Sequence, residues 1–249
     1  TGRARVRAFA ARLWPAPLDI DGRERLRAVA GAAIGLLLAA FLTRLLAGTA
    51  GVASWIVAPL GASAVLVFVT PASPLAQPWS VVGGNTLSSL VGIGCAIAIP
   101  EPVLAAALAV GIAIAVMLQL RCLHPPGGAA ALLMVVTHTT APQFALFPVL
   151  LNSALLVLAG VAYNGLTGRA YPRTQAAPAP AGPQPVGTRH FTPADLDVAL
   201  KHYNQGLDVS RADLQALLEH AESAAYQRNL GALRCSDIMT RAPVSVQFG

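Results

Sequence analysis

The central part of the chain consists of apolar runs separated by short breaks rich in proline, glycine or polar residues. Six apolar segments lie near residues 28–46, 55–70, 79–99, 103–120, 125–137 and 144–163. At 1.5 Å per residue, the first, third, fourth and sixth can cross a hydrocarbon core of about 30 Å, whereas the second and fifth are too short. The pattern predicts an all-α integral membrane protein, a helical bundle in which two segments are short, broken or half helices.

The two short segments share a sequence. Residues 59–70 align without a gap with residues 126–137, 67 positions later, and seven of the twelve pairs are identical. The same register places Asn85 on Asn152. We interpret this as two repeats of three segments, covering about residues 28–99 and 103–165.

The number of membrane crossings decides how the repeats are related. If all six segments cross, each repeat has an odd number of spans and the second is inverted relative to the first, an architecture typical of transporters. If the short segments are re-entrant loops, four crossings remain. Six crossings place Arg121 on the cytoplasmic side and Glu101 outside, and the tendency of positive residues to lie inside favours that order.

Charge supports the membrane assignment and divides the rest of the chain. From Ala28 to Gly168 the only formally charged residues are Arg44, Glu101 and Arg121, which no soluble domain of that length would tolerate. Seven arginines lie among the first 27 residues. They indicate the cytoplasmic flank of a membrane span rather than a nucleic-acid-binding arm. The predicted organisation is a basic lead (1–27), a transmembrane domain (28–165), an Ala/Pro-rich linker (166–190), a cytoplasmic helical hairpin (191–230) and a final segment (231–249).

The starts of the short segments are the candidate ligand site. A helix that begins at membrane depth presents N–H groups without intrahelical partners and the positive end of its dipole, both of which suit an anion. Replacing Gly128 with leucine is expected to block such a site. The alternative is that both motifs only begin closely packed helices. The residues predicted to bind the ligand through these starts are Gly61, Ala62, Ser63, Pro125, Pro126, Gly127, Gly128 and Ala129.

Polar side chains near these starts extend the candidate site. Asn85, Thr86 and Asn152 lie within apolar helices, where they either line a path or satisfy backbone groups. Arg121 is a substrate-attracting charge or a topology anchor. His124 either changes its charge during transport or holds the turn before Pro125 in its neutral form. No metal site, cofactor or catalytic residue is predicted.

The motifs resemble those of one family. His124-Pro125-Pro126 followed by Gly127-Gly128-Ala129, together with the stretches at residues 61–68, 77–79 and 83–85, resembles the signature of the HPP integral membrane proteins over about residues 25–165. Members of that family have been linked to nitrite transport in chloroplasts and cyanobacteria, so the resemblance implies a carrier of a small inorganic anion. Residues 234–246 resemble the start of a CBS domain, which is expected to be cut short at Gly249. Adenine nucleotide is therefore expected as a partner only through the missing part of that module.

These observations predict a secondary transporter of a small inorganic anion, nitrite by resemblance, in a bacterial inner membrane with both termini in the cytoplasm. Small-residue helix faces favour a homo-oligomer, with a dimer expected. An anion channel or a nucleotide-regulated membrane sensor is the alternative. A more remote alternative is an intramembrane serine hydrolase that uses Ser63 and His124, but Ala64 stands where a nucleophile turn needs glycine and no acidic partner lies near in sequence.

Overall fold

Every regular element that the computed structural model describes, within residues 20–47, 55–173, 193–203 and 211–232, is a helix. The all-α prediction is confirmed, and each of the six apolar segments contains a helix. The helices are α1 (Gly22–Ala47), α2 (Pro59–Val69), α3 (Pro78–Ala98), α4 (Pro102–Gln119), α5 (Pro125–Val136), α6 (Leu151–Leu166), α7 (Pro193–Tyr203) and α8 (Arg211–Ala232). A 3-10 turn (Pro74–Ala76) precedes α3, and a π-helical segment (Ala145–Leu150) leads into α6.

Proline and left-handed residues set the boundaries of these helices. A proline occupies the first position of α2, α3, α4 and α5, where its missing N–H costs nothing. After α4, α5 and α6 the chain turns through the left-handed region, at Arg121 (φ 54°), His138 (φ 49°) and Gly168 (φ 76°). In each case the next residue donates back to a carbonyl five positions earlier, as the N–H of Cys122 does to Met117 O at 2.9 Å. The short breaks are thus tight helix ends.

The first helix begins earlier than the sequence pattern indicates. It starts at Gly22 rather than near residue 28, because Asp21 Oδ1 accepts a hydrogen bond from the N–H of Glu24 at 2.7 Å and caps the first turn. The last basic residues of the predicted lead therefore belong to α1.

Contacts between helix ends fix the direction of each helix. Arg27, near the start of α1, donates to Phe68 O at the end of α2 (2.7 Å). Tyr171, just after α6, donates to Ala76 O just before α3 (2.9 Å). The starts of α1 and α3 and the ends of α2 and α6 therefore lie on one side of the bundle, which we call the first face.

The opposite side, the second face, is where α1 ends. Near it Asn152 of α6 donates to Thr43 of α1 (2.8 Å), so α6 runs antiparallel to α1. At the first face Trp79 donates to Leu120 O at the end of α4 (3.0 Å), so α3 and α4 are antiparallel as well. The six helices alternate in direction, and the second repeat is inverted relative to the first.

The two repeats exchange their third helices. Helices α1 and α2 of the first repeat pack with α6 of the second, whereas α4 and α5 of the second repeat pack with α3 of the first. The first group surrounds an apolar core that includes Leu60, Phe68 and Leu156, and the second surrounds a core that includes Ala109 and Ala131. Each short helix therefore lies against the long third helix of the other repeat.

A buried charge cluster closes the first group at the first face. Glu24 forms ion pairs with Arg27 (2.8 Å) and Arg169 (2.7 Å). Arg27 also donates to Phe68 O, and Asn164 donates to Val67 O. A cation and an amide thus satisfy the last carbonyls of α2, where the helix dipole is negative.

Within the described residues, four helices are long and apolar enough to cross a membrane, namely Gly22–Leu46, Pro78–Ala98, Pro102–Gln119 and Ala145–Leu166. The short helices α2 and α5 have 11 and 12 residues, or about 17 Å each. Both nevertheless run in the direction that alternation requires, since α2 goes from the second face to the first. The order of helix directions therefore favours six passes over re-entrant loops.

Helices α7 and α8 belong to a second compact unit. They begin at Pro193 and Arg211, within the stretch 191–230 for which the sequence predicts a helical hairpin. On α8 the side chains of Leu217 and Ala221 are exposed. The structure describes these two helices of the predicted hairpin but not the residues between them. The basic lead before residue 20, the linker from residue 174 and the CBS-like segment lie outside the described residues.

Candidate functional site

A chain of hydrogen bonds joins four parts of the bundle between the two short helices. His124, just before α5, contacts Ser63 of α2 through Nε2 and Oγ at 2.8 Å. Asn85 of α3 donates from Nδ2 to Ser63 Oγ (3.1 Å) and to Ser153 Oγ of α6 (3.2 Å). All four side chains are buried. We call His124, Ser63, Asn85 and Ser153 the polar layer.

The 3-10 turn before α3 orients His124. The Nδ1 atom of the imidazole lies 2.8 Å from Leu75 O. A carbonyl oxygen only accepts, so Nδ1 carries a hydrogen and the neutral ring has Nε2 as an acceptor. Ser63 therefore donates to Nε2 when His124 is neutral.

Helix α3 also carries buried polar atoms that the described residues leave without a hydrogen-bond partner. They are Asn85 Oδ1, Thr86 Oγ1, Ser88 Oγ and Ser89 Oγ. The side chains of Asn85, Ser88 and Ser89 are almost entirely buried. Native structures pair most such groups, so a run of four on one helix indicates a place where water or a small polar ligand is held.

One of these hydroxyls points at the first turn of α5. A Cβ atom built on Gly127 would lie 2.9 Å from Ser88 Oγ and 2.8 Å from Gly84 O. Gly128, by contrast, would meet only a methyl of Val110 at 3.9 Å. A Cβ on Gly128 would therefore have room beside α4, and the expected block by leucine at that position stays a prediction. The tight position is Gly127.

The first turns of the short helices offer fewer free amides than the sequence predicts. The N–H of Gly61 donates to Ala58 O (3.2 Å), and the N–H of Gly127 donates to His124 O (2.8 Å). Pro125 and Pro126 have no N–H. The side chains of Ala62, Pro125 and Ala129 are exposed on the outside of the bundle. Ligand binding by these residues stays a prediction, and the buried hydroxyls of α3 supply additional donors.

Asn152 lies apart from the polar layer, although it is the repeat equivalent of Asn85. Its Oδ1 accepts from the N–H of Val57 (3.2 Å), and its Nδ2 donates to Thr43 Oγ1 (2.8 Å) and Trp55 O (3.2 Å). These bonds hold the chain that leads into α2. Asn152 thus satisfies backbone groups at the start of a short helix, one of the two alternatives that the sequence leaves open.

Arg121 is not part of the polar layer either. It is the left-handed residue that ends α4, and its side chain is exposed at the first face. Burial raises the pKa of Tyr171 near this face, so its phenol stays neutral and donates to Ala76 O. The turn that precedes α3 is thereby fixed from two sides, by Tyr171 and by His124.

Two members of the site were missed by sequence reasoning. Ser153 follows Asn152 as Thr86 follows Asn85, so the repeat alignment contains the signal for it. Leu75 O is a backbone acceptor, and no sequence signal identifies it. The sequence shows Ser88 and Ser89 as hydroxyl side chains within an apolar helix, but it does not show which groups they face.

Alternating apolar helices around a buried polar layer define an integral membrane protein built from inverted repeats. A family model described as "HPP, transmembrane region" matches residues 17–172, and the chain belongs to the HPP family. The match is wider than the 28–165 predicted for the transmembrane domain.

Two curated relatives come from Dictyostelium discoideum, and both are named only as transmembrane proteins. One is 38% identical over 136 residues, which cover 47% of this chain and 44% of the relative. The other is 38% identical over 80 residues, which cover 30% of this chain and 26% of the relative. The chain thus spans less than half the length of these relatives. No solved structure matches it significantly.

Proposed function

We propose that this protein is a secondary transporter of a small inorganic anion and that nitrite is the first substrate to test. The observation that carries the proposal is the polar layer together with the unpartnered hydroxyls of α3, all enclosed in an apolar bundle. Polar groups inside a membrane protein are costly, and they mark substrate pathways more often than those at its surface.

The chemistry of this region suits a small anion. The hydroxyls of Thr86, Ser88 and Ser89 on α3 each have a hydrogen to donate. Ser88 lies beside the amino end of α5, where the dipole of that helix is positive. Gly84 and Gly127 bring the backbones of α3 and α5 close together there. A ligand held at this point has few atoms.

Alternating access is the mechanism that the inverted repeats support. Ser63, Ser88 and His124 have no exposed surface, so the polar layer is closed to both faces in this conformation. We propose that relative movement of the α1–α2–α6 group and the α3–α4–α5 group opens the layer first to one face and then to the other.

The proposal extends to location and assembly. The first face, which carries the Arg27 and Arg169 cluster and the exposed Arg121, is assigned to the cytoplasm by the tendency of positive residues to lie inside. We propose on this basis that both ends of the transmembrane domain lie in the cytoplasm and that the protein resides in a bacterial inner membrane. A homodimer is proposed on the abundance of small residues on exposed helix faces.

An anion channel and a nucleotide-regulated sensor remain the competing functions. A channel gives voltage-dependent current and no exchange of labelled substrate across the membrane, whereas a carrier saturates and exchanges. A sensor role, with adenine nucleotide as the regulator, rests on the resemblance of residues 234–246 to a CBS domain, and these lie outside the described residues.

The 2.8 Å contact between Ser63 and His124 gives the hydrolase alternative a specific basis. It resembles a nucleophile and base pair, with Leu75 O in the position of the group that orients the base. Ser63 is fully buried, however, and its oxygen also accepts from Asn85. We propose that the protein is not an enzyme, and we expect no labelling of Ser63 by a fluorophosphonate. Stoichiometric labelling would favour the hydrolase.

Nitrite uptake into proteoliposomes tests the main proposal. Ser88→Ala and Ser89→Ala should each lower saturable uptake about tenfold or more, because a hydrogen bond to a charged group contributes about 1.5–3 kcal/mol. Neither change should lower the melting temperature, because each removes a buried hydroxyl that has no partner.

Ser80→Ala is the matched control. Ser80 lies on the same helix but already donates to Pro74 O at 2.9 Å. Its loss should lower the melting temperature slightly and leave uptake near the wild-type rate. The transport proposal fails for nitrite if vesicles with folded protein take up no more than protein-free vesicles.

A further inference from the structure

We infer that His124 is the proton-binding residue of the carrier and that one proton crosses with each anion, an inference that rests on the proposed function. The observation behind it is a hydroxyl with two acceptors. Ser63 Oγ lies 2.8 Å from His124 Nε2 and 3.2 Å from Pro59 O.

The neutral and protonated forms of His124 both find complete hydrogen bonding in this arrangement. In the neutral form Ser63 donates its hydrogen to Nε2. When Nε2 takes a proton from water, it becomes the donor to Ser63 Oγ, and the hydroxyl hydrogen rotates to Pro59 O. Nδ1 donates to Leu75 O in both forms, and Asn85 keeps donating to Ser63. One hydroxyl rotation therefore accommodates the proton without loss of a bond.

Among the residues that the structure describes, no carboxylate balances the charge of the protonated ring. The carboxylates described in the membrane unit are Asp21, Glu24 and Glu101, and each bonds elsewhere. Asp21 accepts from the N–H of Glu24, Glu24 pairs with two arginines, and Glu101 caps α4. A bound anion is the remaining source of compensating charge.

Other titratable groups near His124 do not supply a negative charge. Cys122, two residues earlier, is a buried thiol, and Arg121 at the end of α4 is exposed and cationic. Tyr171 donates to Ala76 O in the turn that orients the imidazole. Ser63 faces it from α2 and Gly84 faces it from α3, and both are uncharged.

Position adds to the need for an anion. His124 lies at the amino end of α5, where an imidazolium is repelled by the positive end of the helix dipole. An anion bound between the ring and Ser88 offsets both charges. Proton binding and anion binding then strengthen each other by the same factor, as linkage requires. The loaded site is neutral overall, so its movement across the membrane is independent of voltage.

Calorimetric titration of the full chain in detergent with sodium nitrite tests the linkage. Measurement in two buffers of different ionisation enthalpy gives the number of protons taken up per nitrite bound. Near pH 7.5 we expect about one proton per nitrite for the wild type and none for His124→Gln. His138→Asn is the matched control, because His138 is exposed at the other end of α5 and asparagine tolerates its left-handed backbone.

Ser63→Ala provides a second variant in case His124→Gln does not fold. It keeps the imidazole but removes the acceptor for the added proton, so proton uptake per bound nitrite should fall well below one. Nitrite binding without proton uptake by the wild type would overturn this inference and leave the proposed function standing. Absence of nitrite binding by folded protein would overturn both for nitrite.

Vesicles extend the test to transport. After subtraction of nitrous acid leakage measured in protein-free vesicles, nitrite uptake should follow an inside-alkaline pH gradient and ignore a potassium diffusion potential set with valinomycin. Uptake driven by voltage alone would show that the bare anion crosses, which contradicts the coupling but not the transporter.

Discussion

Asn85 and Asn152 occupy equivalent positions in the two repeats, but their side chains form different hydrogen bonds. Asn152 uses both ends of its amide to hold the backbone before α2. Asn85 uses only Nδ2, and its Oδ1 has no partner in the described part of the chain. One asparagine therefore stabilises the fold, and the other keeps an acceptor available in the polar layer.

Replacement of each asparagine by alanine should separate these roles. Asn152→Ala leaves the N–H of Val57 unpaired and should cost about 2–4 kcal/mol, seen as a clear fall in melting temperature. Asn85→Ala should lower the melting temperature less and nitrite uptake more. Thermal unfolding and uptake measured on the same preparations check this, and a larger thermal effect at Asn85 would contradict the assignment.

The alignment of the repeats identifies both asparagines but not the difference between them. In the first repeat Ser63 is a partner for Asn85, whereas the equivalent residue for Asn152 is Ala130. His124 likewise has Val57 as its equivalent. Such differences can be found from sequence only after the packing of α2 beside α3 and α5 is known, because the partners lie far apart in the chain.

The crossing of α3 and α5 depends on glycines that allow backbone contact. A Cβ on Gly92 would clash with Ala131 O, and one on Gly84 would lie 2.9 Å from Cys122 O. Small residues at such crossings replace the hydrophobic driving force that helices lack within lipid. Gly94 lies two residues after Gly92 on α3, and a Cβ built on it would meet nothing within 4 Å.

Gly92→Ala should therefore separate the two helices and destabilise the protein, by about 1–3 kcal/mol or more, because the clash is with backbone that cannot rotate away. Gly94→Ala is the matched control and should be neutral or slightly stabilising, since alanine favours helix. Melting temperatures of the two variants in the same detergent check the prediction. Equal effects would mean that the crossing is looser than described.

Helix starts were better predicted than helix partners. The prolines at positions 59, 78, 102 and 125 mark the starts of α2 to α5 directly in the sequence. Arg121 and His138 end helices in a conformation that usually selects glycine, so neither end has a clear sequence signal. The charge cluster around Glu24 joins residues 145 positions apart, which no local pattern reveals.

In the membrane unit as a whole, the six helices α1 to α6 alternate in direction, and this order predicts where exposed residues lie. Arg121 follows α4 at the first face, and His138 follows α5 toward the second. With a re-entrant α5 both would lie on the same side of the membrane. The distinction rests on the path of one 12-residue helix.

Cysteine labelling in intact vesicles of known orientation checks this path. In a background without the native cysteines, Arg121→Cys and His138→Cys should react with a membrane-impermeant thiol reagent from opposite sides. Both positions are exposed. Cys95, Cys122 and Cys235 are replaced by alanine, because Cys95 and Cys122 are buried and alanine adds no polar group there. Labelling of both positions from one side would restore the four-crossing alternative.

The exchange of third helices has a consequence for how such a protein arises. One repeat alone leaves its short helix without the long helix that flanks it, so it cannot complete either packing group. Two copies inserted in opposite orientations would supply each other's missing helix and rebuild both groups. A half-length ancestor of this fold would thus have been a homodimer of dual topology, and gene fusion would have fixed the opposite orientations in a single chain.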